Sequence, residues 1–240
     1  MTTFTSAATA NVLGSLPRAA ATACLEAVLA THPDIVALQE WGIGRHDLLS
    51  RPGWVWVHAR YAGIAIGVRS DRYDVLGRRL HALAGVALIE RRVRPVPVLP
   101  PRLALAVTVA DRLSGHRVTV VGYHLVPGAQ RRGSYREDRP RLAARHRAET
   151  VRLAEVVGSY TARGHTVLAM GDSNFDGFEL PGLTSAWAEL RDDHRGTLGS
   201  SRKIDDVFGP AWPQRVELVR TASDHAAVVV RRADPVTGVG

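Results

Sequence analysis

Residues 166–174 read TVLAMGDSN, an apolar run that ends abruptly in polar side chains. The short apolar run predicts a strand over Thr166–Gly171. Asp172, Ser173 and Asn174 follow it directly. Because loops and binding sites gather where strands end, this stretch places a carboxylate and an amide at the edge of a sheet.

Polar groups stand at the ends of four further predicted strands. They are Asn11, Glu40, His124 and the pair Asp224–His225, which precedes the last strand. Taken singly, Glu40 is typical of a solvated strand end, and His124 is typical of a hydrogen-bonded core histidine. Asp172 and Asn174 alone are good turn residues. A scaffold rarely needs acids and histidines at so many strand ends, so together they indicate one functional site.

The other apolar runs predict a protein that consists mainly of strands. Besides Thr166–Gly171, strands are expected at Phe4–Val12, Asp34–Glu40, Trp54–Ala59, Ile64–Arg69, Val86–Val93, Leu103–Ala110, Val118–Leu125, Ile204–Phe208, Val216–Arg220 and Ala226–Arg231. Apolar residues on one stripe predict helices at Leu16–His32 and Asp138–Tyr160. Consecutive strands without room for a helix between them should pair antiparallel. We therefore expect one mixed α/β layered domain over residues 1–233, with a frayed tail at 234–240.

The composition sets broad limits on function. The chain has 240 residues, 45% of them hydrophobic, and a net charge of +8. Lys203 is the only lysine among 31 basic residues, so 30 are arginine. The positive charge is explained about equally well by a polyanionic substrate and by the codon bias of a GC-rich genome. Cys24 has no partner for a disulfide, no apolar run reaches the roughly 20 residues of a membrane span, and no signal peptide is evident. We expect a cytoplasmic monomer, with no protein partner indicated.

Several stretches resemble, in the same order, the endonuclease/exonuclease/phosphatase superfamily of deoxyribonuclease-like metal-dependent phosphoesterases. They are ATANVL around Asn11, PDIVALQE (33–40), GIAIGVRSD (63–71), GYHL (122–125), RHRAET (145–150), GDSN (171–174), KIDDVFG (203–209) and SDH (223–225). The resemblance implies a four-layer sandwich in which two mixed β-sheets are flanked by helices. The chain departs from the superfamily pattern at Leu13, Tyr123, Ser173 and Asp206, and these departures argue against the abasic-site branch.

The resemblance also implies a division of roles among the polar residues. Glu40 would be the principal ligand of Mg²⁺ or Mn²⁺, helped by Asn11 and Asp224, because these ions take oxygen ligands. His225, oriented by Asp205, would be the general base or a phosphate-binding group. Asp172 and Asn174 would hold or activate the attacking water and contact the phosphate. His124 would stabilise the transition state or protonate the leaving oxygen. The general base stays open between Asp172 and His225.

The function expected from these residues is hydrolysis of a phosphate ester by in-line attack of water. A nuclease or another phosphodiesterase is the first expectation, with nucleic acid as one substrate class. An arginine-rich loop at 128–140 follows His124, and Arg132 and Arg136 are candidates for binding the substrate backbone. One alternative is a phosphatase or phospholipase that acts on a small or lipid phosphate. A second is an inactive binding module, which has less support because no central residue is missing.

Overall fold

The computed structural model describes residues 6–90, 96–190, 195–199, 201–210 and 214–232. Two short 3-10 helices lie at Ile43–Leu49 and Ala186–Leu190. The other elements are, in chain order, β1 (Ser6–Asn11), α1 (Arg18–Leu29), β2 (Ile35–Gln39), β3 (Trp54–Ala59), β4 (Ile64–Arg69), β5 (Tyr73–Ala84), β6 (Ala87–Leu88), β7 (Val98–Leu99), β8 (Arg102–Asp111), β9 (Arg117–His124), β10 (Gln130–Arg131), β11 (Ser134–Tyr135), α2 (Pro140–Thr161), β12 (Thr166–Asp172), β13 (Thr184–Ser185), β14 (Asp205–Gly209), β15 (Gln214–Val219) and β16 (Ala227–Arg232).

Two six-stranded sheets contain most of these strands. The first has the order β15-β16-β1-β2-β4-β3, and the second has the order β13-β14-β12-β9-β8-β5. In the described part of the chain, β1 with β2 and β9 with β12 are the parallel pairs of the two sheets, and their other neighbours run antiparallel. Both sheets are therefore mixed, and antiparallel pairing dominates as predicted.

The two sheets pack face to face over a central apolar core. Ile35 and Ile66 of the first sheet lie in one buried cluster with Val120 and Met170 of the second. Gly122 of β9 permits the close approach, because a Cβ atom there would lie 2.8 Å from a methyl group of Ile64. Side chains alternate along each strand, so every second residue of the inner strands points towards this core and the others point outward.

The outward faces of both sheets are covered by helices. Cys24 and Leu25 of α1 pack with Val36 of the first sheet, and Leu153 of α2 packs with Val121 of the second. With both faces buried, the central strands are apolar along their whole length, which is why they stand out in the sequence. The result is the expected four-layer α/β sandwich. Neither helix in the described ranges has an apolar stretch long enough to cross a bilayer.

Most of the predicted elements are confirmed. Both helices occur within two or three residues of their predicted ends, and the strands from Trp54–Ala59 and Ile64–Arg69 match to the residue. Cys24 is a buried free thiol. The predicted tail at 234–240 lies outside the described residues.

One predicted strand is wrong, and one long strand was not predicted. The run Val86–Val93 is not a strand of either sheet: only Ala87–Leu88 pairs, with Val98–Leu99 in a two-residue ribbon, and 91–93 lie outside the described residues. The twelve-residue strand β5 was not predicted at all. It lies at the edge of the second sheet, where seven of its residues in succession, 74–80, are exposed. An edge strand needs no continuous apolar pattern, so its sequence carries a weak signal.

Candidate active site

The predicted polar residues meet at one end of the sandwich. Asn11 ends β1 and Glu40 follows β2, whereas His124 ends β9 and Asp172 ends β12. Since β1 runs parallel to β2 and β9 runs parallel to β12, both pairs deliver their carboxyl ends to the same edge of their sheets. A hydrogen bond from Asn11 to Asp172 joins the two edges across 161 residues of sequence.

Asp172 is the centre of this arrangement. Its carboxylate is buried and accepts hydrogen bonds from Asn11 Nδ2 at 2.9 Å and from the backbone N–H of Asn174 at 2.7 Å. The Nε2 atom of His124 lies 3.6 Å from the same carboxylate. Burial and the neighbouring charge of Asp205 raise the pKa of Asp172 well above its ordinary value. A carboxylate in this state accepts a proton readily near neutral pH.

Gly171 fixes the position of Asp172. A Cβ atom at Gly171 would lie 2.0 Å from the backbone oxygen of Tyr123, so no larger residue fits between β12 and β9 at this point. Asn174 then turns the chain with a φ of +52°, which is unusual for a residue with a side chain. Its Nδ2 atom donates to the backbone oxygen of Leu125 at 3.1 Å. The strained turn thus holds Asn174 beside the carboxylate.

His225 forms a tight pair with Asp205. The two residues are buried, and Nδ1 of the imidazole lies 2.7 Å from Oδ2 of the carboxylate. Burial alone would lower the pKa of His225, but the hydrogen bond and the charge of Asp205 outweigh it and raise the pKa to about 9. The imidazole therefore carries a positive charge at neutral pH, and its Nε2–H remains available to a ligand.

His124 has the opposite protonation state. Burial, the positive charge of Arg102 and that of His225 lower the pKa of His124 to about 3. It is a neutral imidazole at neutral pH, so it acts through a hydrogen bond rather than as a cationic acid. The site thus contains one charged and one neutral histidine, and the sequence alone provided no basis for telling them apart.

Glu40 lies at the more exposed side of the site. Its carboxylate accepts the backbone N–H of Gly14 at 2.7 Å and Asn11 Nδ2 at 3.3 Å. Its backbone has a φ of +56°, so a second residue of the site is held in a left-handed conformation. Asn11 donates through Nδ2 to both carboxylates, and its buried Oδ1 atom has no hydrogen-bond partner among the residues that the structure describes.

These atoms suit a divalent cation. A carboxylate beside an unsatisfied amide oxygen is the donor chemistry that Mg²⁺ and Mn²⁺ prefer. A second group, Asp172, Asp205 and His225, offers ligand atoms that all lie within 4.8 Å of one another. There, however, the Asp205–His225 hydrogen bond and the two donors to Asp172 already occupy ligand atoms. The Glu40 oxygens also accept hydrogen bonds, from Asn11 and Gly14, but Glu40 is only half-buried, and Oδ1 of its neighbour Asn11 has no described partner. Glu40 with Asn11 is therefore the better candidate for the metal.

Three further predicted residues are placed less centrally. Asp224 is exposed, and its described hydrogen bond is to Ser223 at 3.3 Å, so no described contact joins it to Glu40. Ser223 does hold this turn against the site, because its hydroxyl donates to the backbone oxygen of Asn11 at 2.8 Å. Arg132 and Arg136 lie near Asn174, and all three line one cavity beside the site.

Two arginines support the site without having been predicted. Arg45 is buried and donates to the backbone oxygens of residues 12, 13, 14 and 16, which fixes the loop whose Gly14 N–H binds Glu40. Arg102 begins β8, and its charge acts on His124. Burial lowers the pKa of Arg102 itself. Neither arginine belongs to a short motif, so only the folded chain reveals their proximity to the site.

Asp206 was noted only as a departure in sequence, and it has a structural role. It follows Asp205 on β14 and points to the opposite side of the sheet, where it accepts the hydroxyl of Ser185 at 2.5 Å and the N–H of Ala186 at 3.0 Å. These bonds fix the start of the second 3-10 helix. Asp206 therefore stabilises the fold next to the site without entering it.

We expect the stability contributed by Asp206 to depend on pH. Burial raises the pKa of Asp206 to about 7, in spite of its hydrogen bonds. An unfolded aspartate titrates near pH ~4, so between about pH 4 and 7 the folded chain binds the extra proton, and stability falls as pH rises. The Tm of Asp206→Asn minus the Tm of wild type should therefore increase as the pH is raised from 4 to 8, as measured by thermal unfolding. A Tm difference that stays constant over this range would contradict the assignment.

Comparison with known proteins places this geometry on a known fold. No protein-family model and no curated protein matches the sequence. Solved structures do match: the human Nocturnin catalytic domain with bound sulfate has a TM-score of 0.70 at 19% identity, covering 96% of this chain and 94% of that one. TDP2 from D. rerio, complexed with a single-strand DNA product, has a TM-score of 0.69 at 18% identity, and the match covers 97% of this chain and 100% of that one.

A third structure carries the family description itself. An endonuclease/exonuclease/phosphatase family protein from Bacteroides thetaiotaomicron has a TM-score of 0.65 at 15% identity, with 95% of this chain and 97% of that chain covered. Identities this low establish shared architecture rather than shared activity. The chain therefore has the four-layer, deoxyribonuclease-like fold of an endonuclease/exonuclease/phosphatase protein, as the sequence motifs predicted.

Proposed function

We propose that this protein is a divalent-metal-dependent phosphoesterase of the endonuclease/exonuclease/phosphatase superfamily that hydrolyses phosphodiesters. The observation that carries the proposal is the hydrogen bonding of Asn11. This one amide contacts both the candidate metal ligand Glu40 and the buried carboxylate of Asp172. A group that binds the metal and a group that accepts a proton are thereby held next to each other, which is the arrangement that metal-assisted hydrolysis requires.

The metal would be held by Glu40 and Asn11, with Mg²⁺ or Mn²⁺ as the ions of suitable chemistry. When bound, it supplies positive charge that neutralises the phosphate oxygens and polarises the phosphorus centre. Asp224 is exposed and precedes His225 in the chain, so its carboxylate could reach the metal through solvent as a further ligand. The backbone N–H of Gly14 orients the Glu40 carboxylate, so this ligand is fixed before the metal binds.

Among the protein groups, Asp172 is the better candidate for the general base. Its raised pKa suits it to take a proton from the attacking water, whereas His225 is already protonated at neutral pH. The water oxygen would bond to phosphorus as the bond to the leaving oxygen breaks. The charged imidazole of His225 would stabilise the negative charge that develops on the phosphate oxygens. Asn174 and the neutral His124 would add hydrogen bonds to the phosphate and the departing oxygen.

Nucleic acid is the substrate class that these observations favour. The net charge of +8 attracts polyanions, and the TDP2 structure of similar fold holds a single-strand DNA product. The alternative expectation, a phosphatase or phospholipase that acts on a small or lipid phosphate, gains no support from a particular contact in the described residues. We therefore propose a nuclease or a related phosphodiesterase.

A panel of substrates tests the proposed function. Purified protein would be incubated, with Mg²⁺ or with EDTA, with a bis-aryl phosphodiester, an aryl phosphomonoester, single-stranded DNA, RNA and sphingomyelin vesicles. We expect Mg²⁺-dependent hydrolysis of the diester and of at least one nucleic acid. Preference for the monoester or the lipid would identify the alternative activity. If none of the five substrates were hydrolysed, the enzymatic proposal would be refuted.

A further inference from the structure

A cavity of about 510 Å³ adjoins the candidate active site. It shares Asn174 with the site, and four arginines line its walls. They come from two separate segments of the chain: Arg131, Arg132 and Arg136 from the loop after His124, and Arg202 from the segment before β14. Convergence of charge from two segments is not explained by the high arginine content alone, because composition does not determine where side chains meet.

The charge in this cavity is largely uncompensated. Arg136 pairs with Asp138, with Nη2 and Oδ2 separated by 2.6 Å. Arg131, Arg132 and Arg202 are exposed, and their guanidinium groups form neither a hydrogen bond nor an ion pair with any residue that the structure describes. Three like charges around one concavity repel each other unless an anion lies between them. The lining is therefore suited to an anionic group, and phosphate accepts the planar fork of arginine particularly well.

One wall of the cavity is a short hairpin that side-chain contacts anchor to the rest of the protein. Strands β10 and β11 are joined at Arg132 and Gly133, both of which have positive φ, as in the tight turns that fit the twist of a hairpin. Tyr135 fixes the hairpin to the rest of the protein: its hydroxyl lies 3.0 Å from His146 Nδ1, and its ring packs at 4.8 Å on Phe175. The backbone that carries Arg131 and Arg132 is thus anchored beside Asn174, and their side chains line the cavity.

The opposite wall is tied to His225. Residue Leu198 forms bridges with both Arg202 and His225, and the N–H of Ala226 donates to the backbone oxygen of Thr197 at 2.7 Å. Arg202 is therefore fixed relative to the charged histidine of the site, just as the hairpin is fixed relative to Asn174. The cavity lies between these two walls, and its lining includes Asn174, which the proposed function places against the phosphate.

We propose that this cavity is a subsite for a second phosphate group of the substrate, adjacent to the phosphate that is hydrolysed. The proposal rests on the proposed function, and it narrows the substrate class to phosphodiesters that carry a neighbouring phosphate. A nucleic acid strand and a nucleotide with an additional terminal phosphate both meet this requirement. A simple diester or a neutral-headed lipid does not.

Chromogenic nucleotides that differ by one phosphate test the subsite directly. Thymidine 5′-(p-nitrophenyl phosphate) would be compared with its 3′-phosphorylated form, and thymidine 3′-(p-nitrophenyl phosphate) with its 5′-phosphorylated form. We expect wild-type protein to prefer one phosphorylated form by at least tenfold in kcat/KM, mainly through KM. In the triple variant Arg131→Ala, Arg132→Ala, Arg202→Ala this ratio should fall towards one. Hexathymidylate would show whether a strand is accepted as well as a nucleotide.

A charge-matched control separates the subsite from general electrostatics. The variant Arg78→Ala, Arg79→Ala, Arg117→Ala removes three exposed arginines that lie away from the cavity, and it should keep the wild-type ratio. Arg202→Glu, which changes only the wall attached to His225, should also abolish the preference. The proposal is overturned if wild type shows no preference in either pair, or if the triple variant retains the preference.

Binding without catalysis distinguishes failure of the subsite from failure of the proposed function. If wild type hydrolyses none of these nucleotides, the proposed function fails, but binding of labelled hexathymidylate in EDTA still tests the cavity. We expect the triple variant to bind at least tenfold more weakly than the charge-matched control. A plot of log K for hexathymidylate binding against log salt concentration should also be less steep for the triple variant. Its slope should change by about 0.7 for each phosphate contact that is lost. Equal affinities of the two variants would overturn the subsite.

Discussion

Replacement of Glu40 by glutamine is expected to lower kcat/KM for Mg²⁺-dependent phosphodiester hydrolysis by about 10³-fold. A bound divalent ion contributes several kcal/mol to the stabilisation of charge in such reactions, and each ~1.4 kcal/mol corresponds to a factor of about ten. Glutamine keeps the size of the side chain and one oxygen for the N–H of Gly14, so the decrease should come from the metal rather than from folding. Mn²⁺ binding, followed by titration, should weaken in parallel.

Glu26→Gln is the matched control for this prediction. Glu26 is an exposed glutamate of α1 whose described ion pair is with Arg51 at 3.6 Å, and it has no described contact with the site. We expect this variant to keep the activity and the Mn²⁺ affinity of wild type. If Glu40→Gln retained full Mg²⁺-dependent activity, another group would have to hold the metal, and the assignment of Glu40 would be wrong.

Asp205→Asn is the second substitution with a large expected effect. The carboxylate raises the pKa of His225 to about 9, so the amide should lower that pKa and leave the imidazole neutral at neutral pH. Removal of a positioned, charged group of this kind typically costs about 10²–10⁴-fold in rate. The alkaline limb of the pH–rate profile, which we expect near pH 9 in wild type from the pKa of His225, should move to lower pH. NMR titration of the His225 ring would follow the same change directly.

The adjacent residue provides the control for Asp205. Asp206→Asn changes the next aspartate of the same strand, but its side chain points to the opposite side of the sheet and contacts Ser185. We expect that variant to keep the wild-type activity and the wild-type titration of His225. An unchanged pH–rate profile in Asp205→Asn would show that this carboxylate does not control the charge of His225.

The sequence was most informative where strands are buried on both faces. Strands β2 and β12 pack against the other sheet on one side and a helix on the other, so their apolar runs are continuous and their polar ends are conspicuous. Glu40 and Asp172 were found for this reason. Strand β5 was missed for the complementary reason, because an exposed edge strand that contains glycine and two arginines has no such pattern.

Parts of the site could not be predicted because they depend on tertiary contacts. The charge states of His124 and His225 differ through burial, the position of Arg102 and the pairing with Asp205, none of which is local in sequence. Likewise, the arginine-rich loop at 128–140 carried no signal for a hairpin in the sequence. It contains a short hairpin, whose Tyr135 packs against Phe175 and His146. The cavity that it forms with Arg202 involves residues about 70 positions apart and has no signature in the chain.

The location of a bound Mn²⁺ ion would decide whether Glu40 and Asn11 form the metal site. Crystals of the wild-type protein soaked with Mn²⁺ would be measured at a wavelength that gives an anomalous signal for manganese. We predict one anomalous peak within bonding distance of the Glu40 carboxylate and close to the unsatisfied oxygen of Asn11, with His225 still paired to Asp205. A peak bound by His225 and Asp205, with Glu40 free of metal, would contradict this assignment.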